Sequence, residues 1–296
     1  MTSPDRSATT VQQERRPGVM VYDSYGKSRV RLTKVNRHKD RHDLKEMIVD
    51  IQLEGDFSVA FTEGDNGPLV ATDSMKNTVY VLAKQNPVDS IEEFAMTLAQ
   101  HFVKTYKQVE SATVHIAEEL WHRIEVDGKP HPHSFYGAND EKHVVEVVAT
   151  ADSLEVESGI QGLKLVKTTD SEFSGFVRDK FTTLPDATDR IFGTSADVSW
   201  LLESGKHDFH SIYTTVRKVV LETFATHHSL GVQHTIHEIG QNALAKAAAI
   251  REITITMPNE HRILFNLKPF ELDNNNEIFV ATDEPYGLIS ATLRRE

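Results

Sequence analysis

The first strongly patterned segment of the chain alternates between apolar and polar residues. Within residues 45–54 the apolar positions 47, 49, 51 and 53 alternate with polar ones, and Ile48 is the one apolar residue out of phase. A period of two predicts a strand with one buried face. The basic residues 27–39 precede this strand, and we interpret them as its hairpin partner.

Two helices are predicted next in the chain. Residues 73–84 form the first, and Pro87 separates it from a second helix, for which Asp89 and Ser90 are the cap candidates. The second helix has apolar residues at helical spacing: Ile91, Phe94, Ala95, Leu98 and Phe102. Strand-like segments then follow at 112–116, 121–126 and 143–150, and Asp127-Gly128 reads as a turn.

The second half of the chain repeats this order of elements. Strands are predicted at 154–167 and 195–202. Two helices follow, with apolar residues spaced from Ile212 to Phe224 and from Ile236 to Ala247. Alternation at 253–257 and again at 263–267 predicts a hairpin across Pro258-Asn259.

The repeated order predicts an α+β fold built from two units of the order ββααββ. We place the units at 18–152 and 153–296, after a polar, disordered tail at 1–17. Each unit is expected to form a four-stranded antiparallel sheet with its helices on one face. Eight strands leave two open edges, so we expect several chains to associate and close the sheets into a barrel.

Composition narrows the classes of function. The 296 residues carry 32 Lys and Arg against 44 Asp and Glu, a net charge of −12, and no Cys. The absence of Cys excludes disulfides, iron–sulfur clusters, thiolate zinc sites and a cysteine nucleophile. Because nucleic-acid affinity depends on accumulated Lys and Arg, the acidic balance argues against a nucleic-acid partner.

The sequence also argues against a membrane partner and predicts a cytoplasmic protein. No apolar segment is long enough to span a bilayer. The first seventeen residues contain no apolar core of a signal peptide, and the chain finishes in Leu-Arg-Arg-Glu, which is not a peroxisomal tripeptide.

Two segments in the first unit carry candidate chemistry. Lys27 follows Gly26 at the start of a strand; it is either part of a solvated basic strand or a base held in a pocket. Thr72 and Asp73 stand at the start of a helix, where capping alone explains their residue types. The free N–H groups of a helix N-terminus also suit an anionic ligand.

The second unit carries a possible clamp for a flat anion. Core packing accounts for Phe176 and Phe181, and surface ion pairs account for Arg178 and Arg190. An exposed Phe beside an Arg, however, offers a stacking face and a bidentate cationic fork to an anionic heterocycle.

Polar groups at two further positions of the second unit are open to two readings each. Gln233 lies near a helix start, where it is a cap or pairs with adjacent N–H and C=O groups of a purine or pterin edge. Asn259 and His261 lie at a turn, where the alternatives are turn chemistry or binding of a small polar ligand and a proton relay.

Fifteen histidines raise the question of a metal site. His234 and His237 share a helix face, but no HExxH motif or carboxylate triad accompanies them. The glycines form neither GxGxxG nor GxxxxGK[ST], so a nucleotide cofactor has no support. We therefore expect neither a catalytic metal nor an organic cofactor.

Five segments together closely resemble urate oxidase (uricase), and they occur in the order of that family. They are YGKSRVR at 25–31, VATDSMKNT at 70–78, FSGFVRDKFTTLPDATDR at 173–190, GVQHT at 231–235 and PNEH at 258–261. The resemblance extends over nearly the whole chain beyond the tail. It implies tandem tunnelling-fold (ββααββ) units, with two chains closing a barrel and two barrels stacking into a homotetramer.

The resemblance also implies the reaction, which is cofactor-free oxidation of urate by O2 to 5-hydroxyisourate and hydrogen peroxide. In this reading Lys27 and Thr72 form a proton-shuttling dyad and His261 extends the relay. Thr72 and Asn259 would hold dioxygen, and later water, above the ring.

The same resemblance assigns the residues that would bind urate. Phe173 would stack on the ring, Arg190 and Gln233 would clamp its polar edge, and the backbones of Asp73 and Val232 would meet it. In the family these sites lie between subunits. Lys27, Thr72 and Asp73 would therefore come from one chain and the remaining residues from its neighbour.

Two alternatives remain open at this point. A metal-dependent hydrolase of the same fold, acting on a pterin or GTP, would need a His/Cys zinc set. A non-catalytic purine-binding module would keep Phe173, Arg190 and Gln233 but would need neither Lys27 nor Thr72.

Overall fold

One antiparallel sheet of eight strands runs through the protein. The computed structural model describes residues 18–296, except for the side chains of Ala138 and Asn139. In spatial order the strands are β1 (Tyr25–Arg37), β2 (His42–Gly55), β3 (Val109–Val126), β4 (Lys129–Thr150), β5 (Leu154–Lys167), β6 (Phe192–Leu202), β7 (Ile250–Asn259) and β10 (Gly287–Arg294). Two short strands, β8 (Arg262–Leu264) and β9 (Phe279–Ala281), form a separate pair.

Helices cover one face of this sheet. They are α1 (Ser58–Thr62), α2 (Thr72–Gln85), α3 (Ile91–Thr105), α4 (Phe209–Thr226) and α5 (Val232–Lys246). A single 3₁₀ turn follows at Lys268–Phe270. Helix α2 packs on β1, α3 on β3 and β4, α4 on β5, and α5 on β7 and β10. Within residues 18–296 no helix is long and apolar enough to cross a membrane.

The core lies between the sheet and the helices, as the alternating patterns predict. On β2 the apolar positions that alternate in sequence are at most 2% exposed: Met47, Val49, Ile51 and Leu53. Ser90 caps α3, because its hydroxyl accepts a hydrogen bond from the Glu93 N–H at 3.2 Å. The predicted α+β fold with antiparallel sheets is confirmed.

The order ββααββ is visible twice in the chain, with α1 and the β8–β9 pair as additions. The sheet is continuous where the two halves meet, because β4 pairs with β5. The division into units at 18–152 and 153–296 stays a prediction, as does closure into a barrel by several chains. The predicted tail at 1–17 lies outside the described residues.

The predicted hairpin across Pro258-Asn259 is wrong. β7 pairs instead with β10, and Pro258 and Asn259 stand opposite Leu288 and Gly287 inside that ladder. The alternation at 263–267 belongs partly to β8, which pairs with β9. Periodicity identified the strands but not their partners, because a 27-residue insertion, 260–286, separates β7 from its true neighbour.

The segments 112–116 and 121–126 are a single strand, β3, rather than two. Its pairing with β4 shifts register between Glu119 and Trp121, and this irregularity interrupts the alternation that the sequence shows. Beyond it, β3 and β4 continue as a two-stranded arm to the turn at Asp127 and Gly128, which both have positive φ. The turn was predicted correctly.

A buried network of charges connects the two halves of the molecule. Glu92, on α3, is 1% exposed, and its carboxylate contacts His143 of β4 at 2.9 Å. The same carboxylate accepts a hydrogen bond from Ser158 of β5 at 2.9 Å. On its other side the His143 ring faces Glu118 at 3.8 Å and packs on Tyr213 of α4 with centroids 4.0 Å apart.

This network keeps His143 charged. Burial alone would lower the pKa of His143, but the hydrogen bonds and charges of Glu118 and Glu92 outweigh burial and raise it. Burial would likewise raise the pKa of Glu92, yet the contacts with His143 and Ser90 lower it to about 2. The histidinium is therefore the counter-charge of the buried Glu92 and shares Glu118 with Lys45, whose ammonium lies 2.9 Å from that carboxylate.

We expect His143→Gln to lower the free energy of unfolding by about 3 kcal/mol at pH 7, because it leaves the buried Glu92 carboxylate without a cation, whereas Glu118 keeps its ion pair with Lys45 at 2.9 Å. The native pKa of His143 is raised, so its contribution is complete below the unfolded pKa of about 6.5 and is lost as the pH rises through the native value. Urea unfolding across pH 6 to 10 measures this.

The matched control is the double variant His143→Gln/Glu92→Gln, which also removes the carboxylate that the single variant leaves without a cation. It should unfold at a higher urea concentration than the single variant. A single variant with the stability and pH dependence of the wild type would contradict the assignment.

Candidate functional site

A bulge in β1 aims Lys27 toward the helices. Gly26 allows β1 to approach its neighbour β2 closely, because a Cβ there would lie 1.8 Å from the Ile51 carbonyl oxygen. The register then shifts between Lys27 and Val30, and Arg29 in the bulge has a φ of 58°. Lys27 stands opposite the buried Ile51, so it lies on the face of the sheet that the helices cover. Simple alternation back from Val30 would place Lys27 on the opposite face, and the bulge reverses this.

The start of α2 lies beside this strand. The Val70 N–H donates to the Tyr25 hydroxyl at 2.6 Å, which ties the segment before α2 to β1. Hydrogen bonds from Lys76 and Asn77, and to a smaller extent the charge of Lys27, hold the pKa of Asp73 below its usual value. The structure thus brings Lys27, Thr72 and Asp73 together.

Neither Thr72 nor Asp73 caps α2, contrary to the simplest interpretation of the sequence. The N-cap is Ala71, which supplies no side-chain hydrogen bond, so Thr72 is the first helical residue. The Asp73 carboxylate accepts hydrogen bonds from Lys76 at 2.5 Å and Asn77 at 2.9 Å instead of from its own helix start. The first N–H groups of α2 are therefore available to another acceptor.

An irregular loop between β5 and β6 presents Phe173 and Arg190. Phe173 and Ala187 exchange backbone hydrogen bonds of 2.8 and 2.9 Å, and the Arg190 N–H donates to the Ser171 carbonyl at 2.7 Å. These bonds fold the loop back on itself. The guanidinium carbon of Arg190 consequently lies 5.4 Å from the centroid of the Phe173 ring.

Arg190 is a half-buried cation without an ion-pair partner among the described residues. Its Nε is fully buried and makes no hydrogen bond there. The neighbouring Asp189 instead accepts a hydrogen bond from the Thr169 hydroxyl at 2.7 Å. Burial lowers the pKa of the guanidinium, because its charge is partly desolvated.

The other aromatic and basic residues of this loop have different environments. Arg178 does make the expected ion pair, with Asp186 at 3.1 Å. The prediction that Phe181 packs in the core is wrong, because its side chain is 78% exposed. Phe176 is only half-buried, and its ring stacks on Phe173 with centroids 4.9 Å apart. Phe176 stiffens the ring of Phe173, a role that the sequence did not reveal.

The N-terminus of α5 stands next to Phe173. Its N-cap, Gly231, offers no side-chain cap, and a Cβ there would lie 3.4 Å from the Gln233 side-chain oxygen and 3.7 Å from the Phe173 ring. Gln233 is exposed and does not cap the helix, whereas Val232 is buried. The free N–H of Val232 and the Gln233 amide therefore lie beside the aromatic ring.

Asn259 and His261 approach the same end of the molecule from β7. Because α5 leads through a short turn into β7, the end of β7 returns past the start of α5. Asn259 follows the buried positions Ile255 and Met257 at a spacing of two, so it lies on the helix face. The Glu260 N–H donates to the Gly193 carbonyl at 3.0 Å, and Thr282 N–H to the His261 carbonyl at 3.0 Å.

The predicted site residues therefore form two groups in one chain. The first contains Lys27, Thr72 and Asp73, and the second contains Phe173, Arg190, Val232, Gln233, Asn259 and His261. Five strands lie between β1 and β7, which is about 29 Å along the sheet. Because neighbouring strands are antiparallel, β1, β5 and β7 run in the same direction. The start of β1 therefore lies at one end of the sheet, and the ends of β5 and β7 lie at the other. The two groups occupy diagonal corners and do not meet within one chain.

No group of three His, Asp or Glu side chains in residues 18–296 is arranged to hold a metal ion. His234 packs edge-on against His227, with centroids 4.4 Å apart, and His237 faces Glu238 at 3.4 Å. His234 also faces Glu238, at 3.9 Å, so the two histidines share one carboxylate and no third ligand accompanies them among the described residues.

The comparisons with known proteins agree on one family. The family model described as Uricase matches residues 23–148 and 156–290. The chain is 40% identical to the uricase of Arthrobacter globiformis over 94% of this chain and 90% of that protein. It is 39% identical to the uricase of Aspergillus flavus over 92% and 95%.

The chain belongs to the uricase family. The crystal structure of the uricase from Arthrobacter globiformis superimposes with a TM-score of 0.90, at 40% identity, over 95% of this chain and 96% of that one. The likeness therefore extends to the fold as a whole and includes both corners of the sheet. The resemblance inferred from five short segments is confirmed.

An unpaired, partly desolvated Arg190 should contribute nothing favourable to the stability of the isolated protein. We expect Arg190→Met to leave the free energy of unfolding unchanged or to raise it by about 1 kcal/mol, because the variant removes a buried donor without a partner. Urea unfolding of the ligand-free protein measures the change.

The matched comparison is Arg217→Met. Arg217 makes a bidentate ion pair with Glu141 at 2.6 and 2.8 Å, and Glu141 is 7% exposed. Its loss should destabilise the protein by about 1 kcal/mol or more. Equal destabilisation by the two substitutions would show that Arg190 has a structural partner.

Proposed function

We propose that this chain is a urate oxidase, which converts urate, O2 and water into 5-hydroxyisourate and hydrogen peroxide. The observation that carries the proposal is the half-buried, unpaired Arg190 beside the Phe173 ring and the uncapped start of α5. A flat anion is the ligand that would use all three at once. Membership of the uricase family supports the same assignment.

Each group at this corner has a distinct part in binding. Phe173, backed by Phe176, offers a stacking face of fixed orientation. The Arg190 guanidinium supplies charge-assisted hydrogen bonds to the urate anion. The Gln233 amide provides a donor and an acceptor to the opposite polar edge, and the Val232 N–H adds a second donor at the helix N-terminus.

The proton-handling residues belong to the other corner of the sheet. Lys27 passes a proton through the Thr72 hydroxyl, and His261 extends this relay from the side of the ring-binding group. Asp73 meets the substrate through its backbone N–H, and Thr72 and Asn259 hold O2 and then water. General acid–base groups of this kind typically contribute about 10²- to 10⁴-fold to the rate.

Urate chemistry explains how such a site works without a cofactor. Dioxygen is a triplet and reacts slowly with closed-shell molecules unless the partner first gives up one electron. A urate anion is electron-rich enough to do so. The protein must therefore hold the anion in a dry site, where the preorganised donors of Arg190 and α5 act most strongly.

A complete site needs a second copy of the chain, since the two groups of residues occupy diagonal corners. The strands β1 and β10 are the edges of the sheet and each has one partner strand within the described residues. Such edges invite pairing with another chain. We infer that the protein is a homotetramer in which each site takes Lys27, Thr72 and Asp73 from one subunit.

Lys27→Met should lower kcat by about 10²-fold or more and change the urate KM by less than about threefold, because it removes the proton carrier but not the clamp. Thr72→Ala should act in the same way. Steady-state oxidation of urate, followed by its absorbance and by peroxide formation, measures both constants. Near-wild-type kcat in either variant would contradict the dyad.

Mixed oligomers test the sharing of the site. Arg190→Ala should lose urate binding, and Lys27→Met should lose turnover, so each variant alone is nearly inactive. When the two variants are co-expressed in equal amounts, random assembly gives about a quarter of the sites both wild-type halves. Recovery of about a quarter of the activity is expected. No recovery would place both groups of residues in one subunit.

The oxidase is distinguished from the two alternative functions by one assay. Wild-type protein pre-treated with a chelator such as EDTA should retain full urate oxidation, because no step of the proposed reaction uses a metal. Loss of activity that returns with added zinc would favour the metal-dependent hydrolase. Tight urate binding with no turnover would favour the non-catalytic purine-binding module.

A further inference from the structure

A charged cluster that has no place in the proposed reaction joins two segments of the ring-binding corner. His228 lies between two carboxylates: its Nδ1 contacts Asp170, and its Nε2 contacts Glu172 at 2.8 Å. Glu172 directly precedes Phe173 in the chain, and His228 stands three residues before Gly231. The cluster thus connects the aromatic ring with the start of α5.

Backbone bonds run parallel to these side-chain contacts. The Glu172 N–H donates to the Ser229 carbonyl at 2.8 Å, and the Ser229 N–H donates to the Asp170 carbonyl at 3.1 Å. The buried Ser229 hydroxyl accepts a hydrogen bond from Thr235 of α5 at 2.8 Å. These bonds and the side-chain contacts of His228 therefore tie the segment before Phe173 to the start of α5.

The geometry favours the charged form of the imidazole. A neutral ring has one N–H and could donate to only one of the two carboxylates, whereas both ring nitrogens of an imidazolium are donors. Hydrogen bonds to Asp170 and Glu172 accordingly raise the pKa of His228 above its ordinary value. The other charged or titratable groups around the cluster are His227, Lys167, Asp189, His234 and Glu238.

Apart from His228, the cation near these two carboxylates in the described part of the chain is Lys167. Its charge helps to lower the pKa of Asp170, but its ammonium donates to the His227 carbonyl at 2.6 Å and makes no ion pair with either carboxylate. Without a charge on His228, Asp170 and Glu172 would place two carboxylates without an ion-pair partner next to a site for an anion. The ring would also lose the side-chain contacts that hold its segment to α5.

We propose that His228, as an imidazolium, is a positioning residue for urate binding. It holds the Phe173 segment against the start of α5 and neutralises Asp170 and Glu172 beside the substrate anion. This inference rests on the proposed function, since it assumes that urate binds at Phe173 and Arg190. His228 itself touches neither the substrate nor the reacting atoms.

The test is the urate dissociation constant, measured by calorimetry without oxygen. For His228→Ala we expect a rise of about three- to tenfold, because a partly exposed pair of charge-assisted hydrogen bonds is lost. In air, the same variant should show a higher KM with kcat within about twofold of the wild type.

The matched control is His237→Ala on α5, whose exposed ring contacts Glu238 and Gln241. This variant should bind urate as the wild type does.

Two further measurements separate positioning from a general loss of structure. Urate affinity of the wild type should fall as the pH rises through the titration of His228, and the ratio of wild-type to His228→Ala affinity should approach one at high pH. Adding Asp170→Asn and Glu172→Gln to His228→Ala should recover part of the affinity, because the stranded carboxylates are gone. A triple variant without recovery would show that neutralisation is not part of the role.

The two proposals fail in different ways. If His228→Ala binds urate with wild-type affinity and a wild-type pH profile, the positioning role is wrong, whether or not the protein oxidises urate. If the wild type binds urate but forms no peroxide in air, the oxidase assignment is wrong, and the binding measurements still decide the role of His228.

Discussion

The architecture of this protein follows from one constraint: a continuous antiparallel sheet can bury only the face that its helices cover. Helices α2 to α5 occupy that face, so the polar groups that could act on a ligand are found where the helices begin, at the ends of the strands. The relevant helix starts are those of α2 and α5. They lie at opposite ends and opposite sides of the sheet, so under the proposed function a second chain brings the two groups of residues together.

Polar groups in the parts of the molecule that stabilise the fold have hydrogen-bond partners, whereas several polar groups at the candidate site have none among the described residues. Helices α3 and α4 are capped by Ser90 and Asp208, whereas α2 and α5 have no side-chain cap. Glu92 and His143 are buried as partners, whereas the Arg190 Nε is buried without one. Unsatisfied donors cost stability, so their concentration around Phe173 indicates a site built for a ligand rather than for folding.

The sequence predicts most of the fold because burial of one face of a strand or helix gives its apolar residues a regular spacing. The sequence predicts β5 at its observed bounds and offers Asp89 and Ser90 as cap candidates for α3, of which Ser90 is the cap, since both features depend on local patterns. The partner of β7 was not predictable, because pairing depends on where a long insertion returns. The orientation of Lys27 was not predictable either: a bulge of non-local origin reverses the alternation, and the sequence shows only that Gly26 precedes it.

At the candidate site, too, the sequence reveals the type of each residue but not its surroundings. The resemblance named Phe173, Arg190 and Gln233, and the local chemistry of each was foreseen from its side chain. Whether Arg190 would be paired was open in the sequence, because Asp189 stands next to it and Asp186 lies close by. In the structure those carboxylates bind Thr169 and Arg178, and this choice of partners leaves the Arg190 guanidinium free.

The acidic composition gives these local pairings their importance. A chain with a net charge of −12 does not attract an anion through its overall field, so affinity for urate depends on charges within a few ångströms of the ring. Arg190 supplies the positive charge, but Asp170, Glu172 and Asp189 stand close behind it in the same loop. Each is engaged by a hydrogen-bonding partner, His228 for the first two and Thr169 for the third. In an acidic protein, an anion site of this kind depends as much on neutralising the nearest carboxylates as on presenting the cation itself.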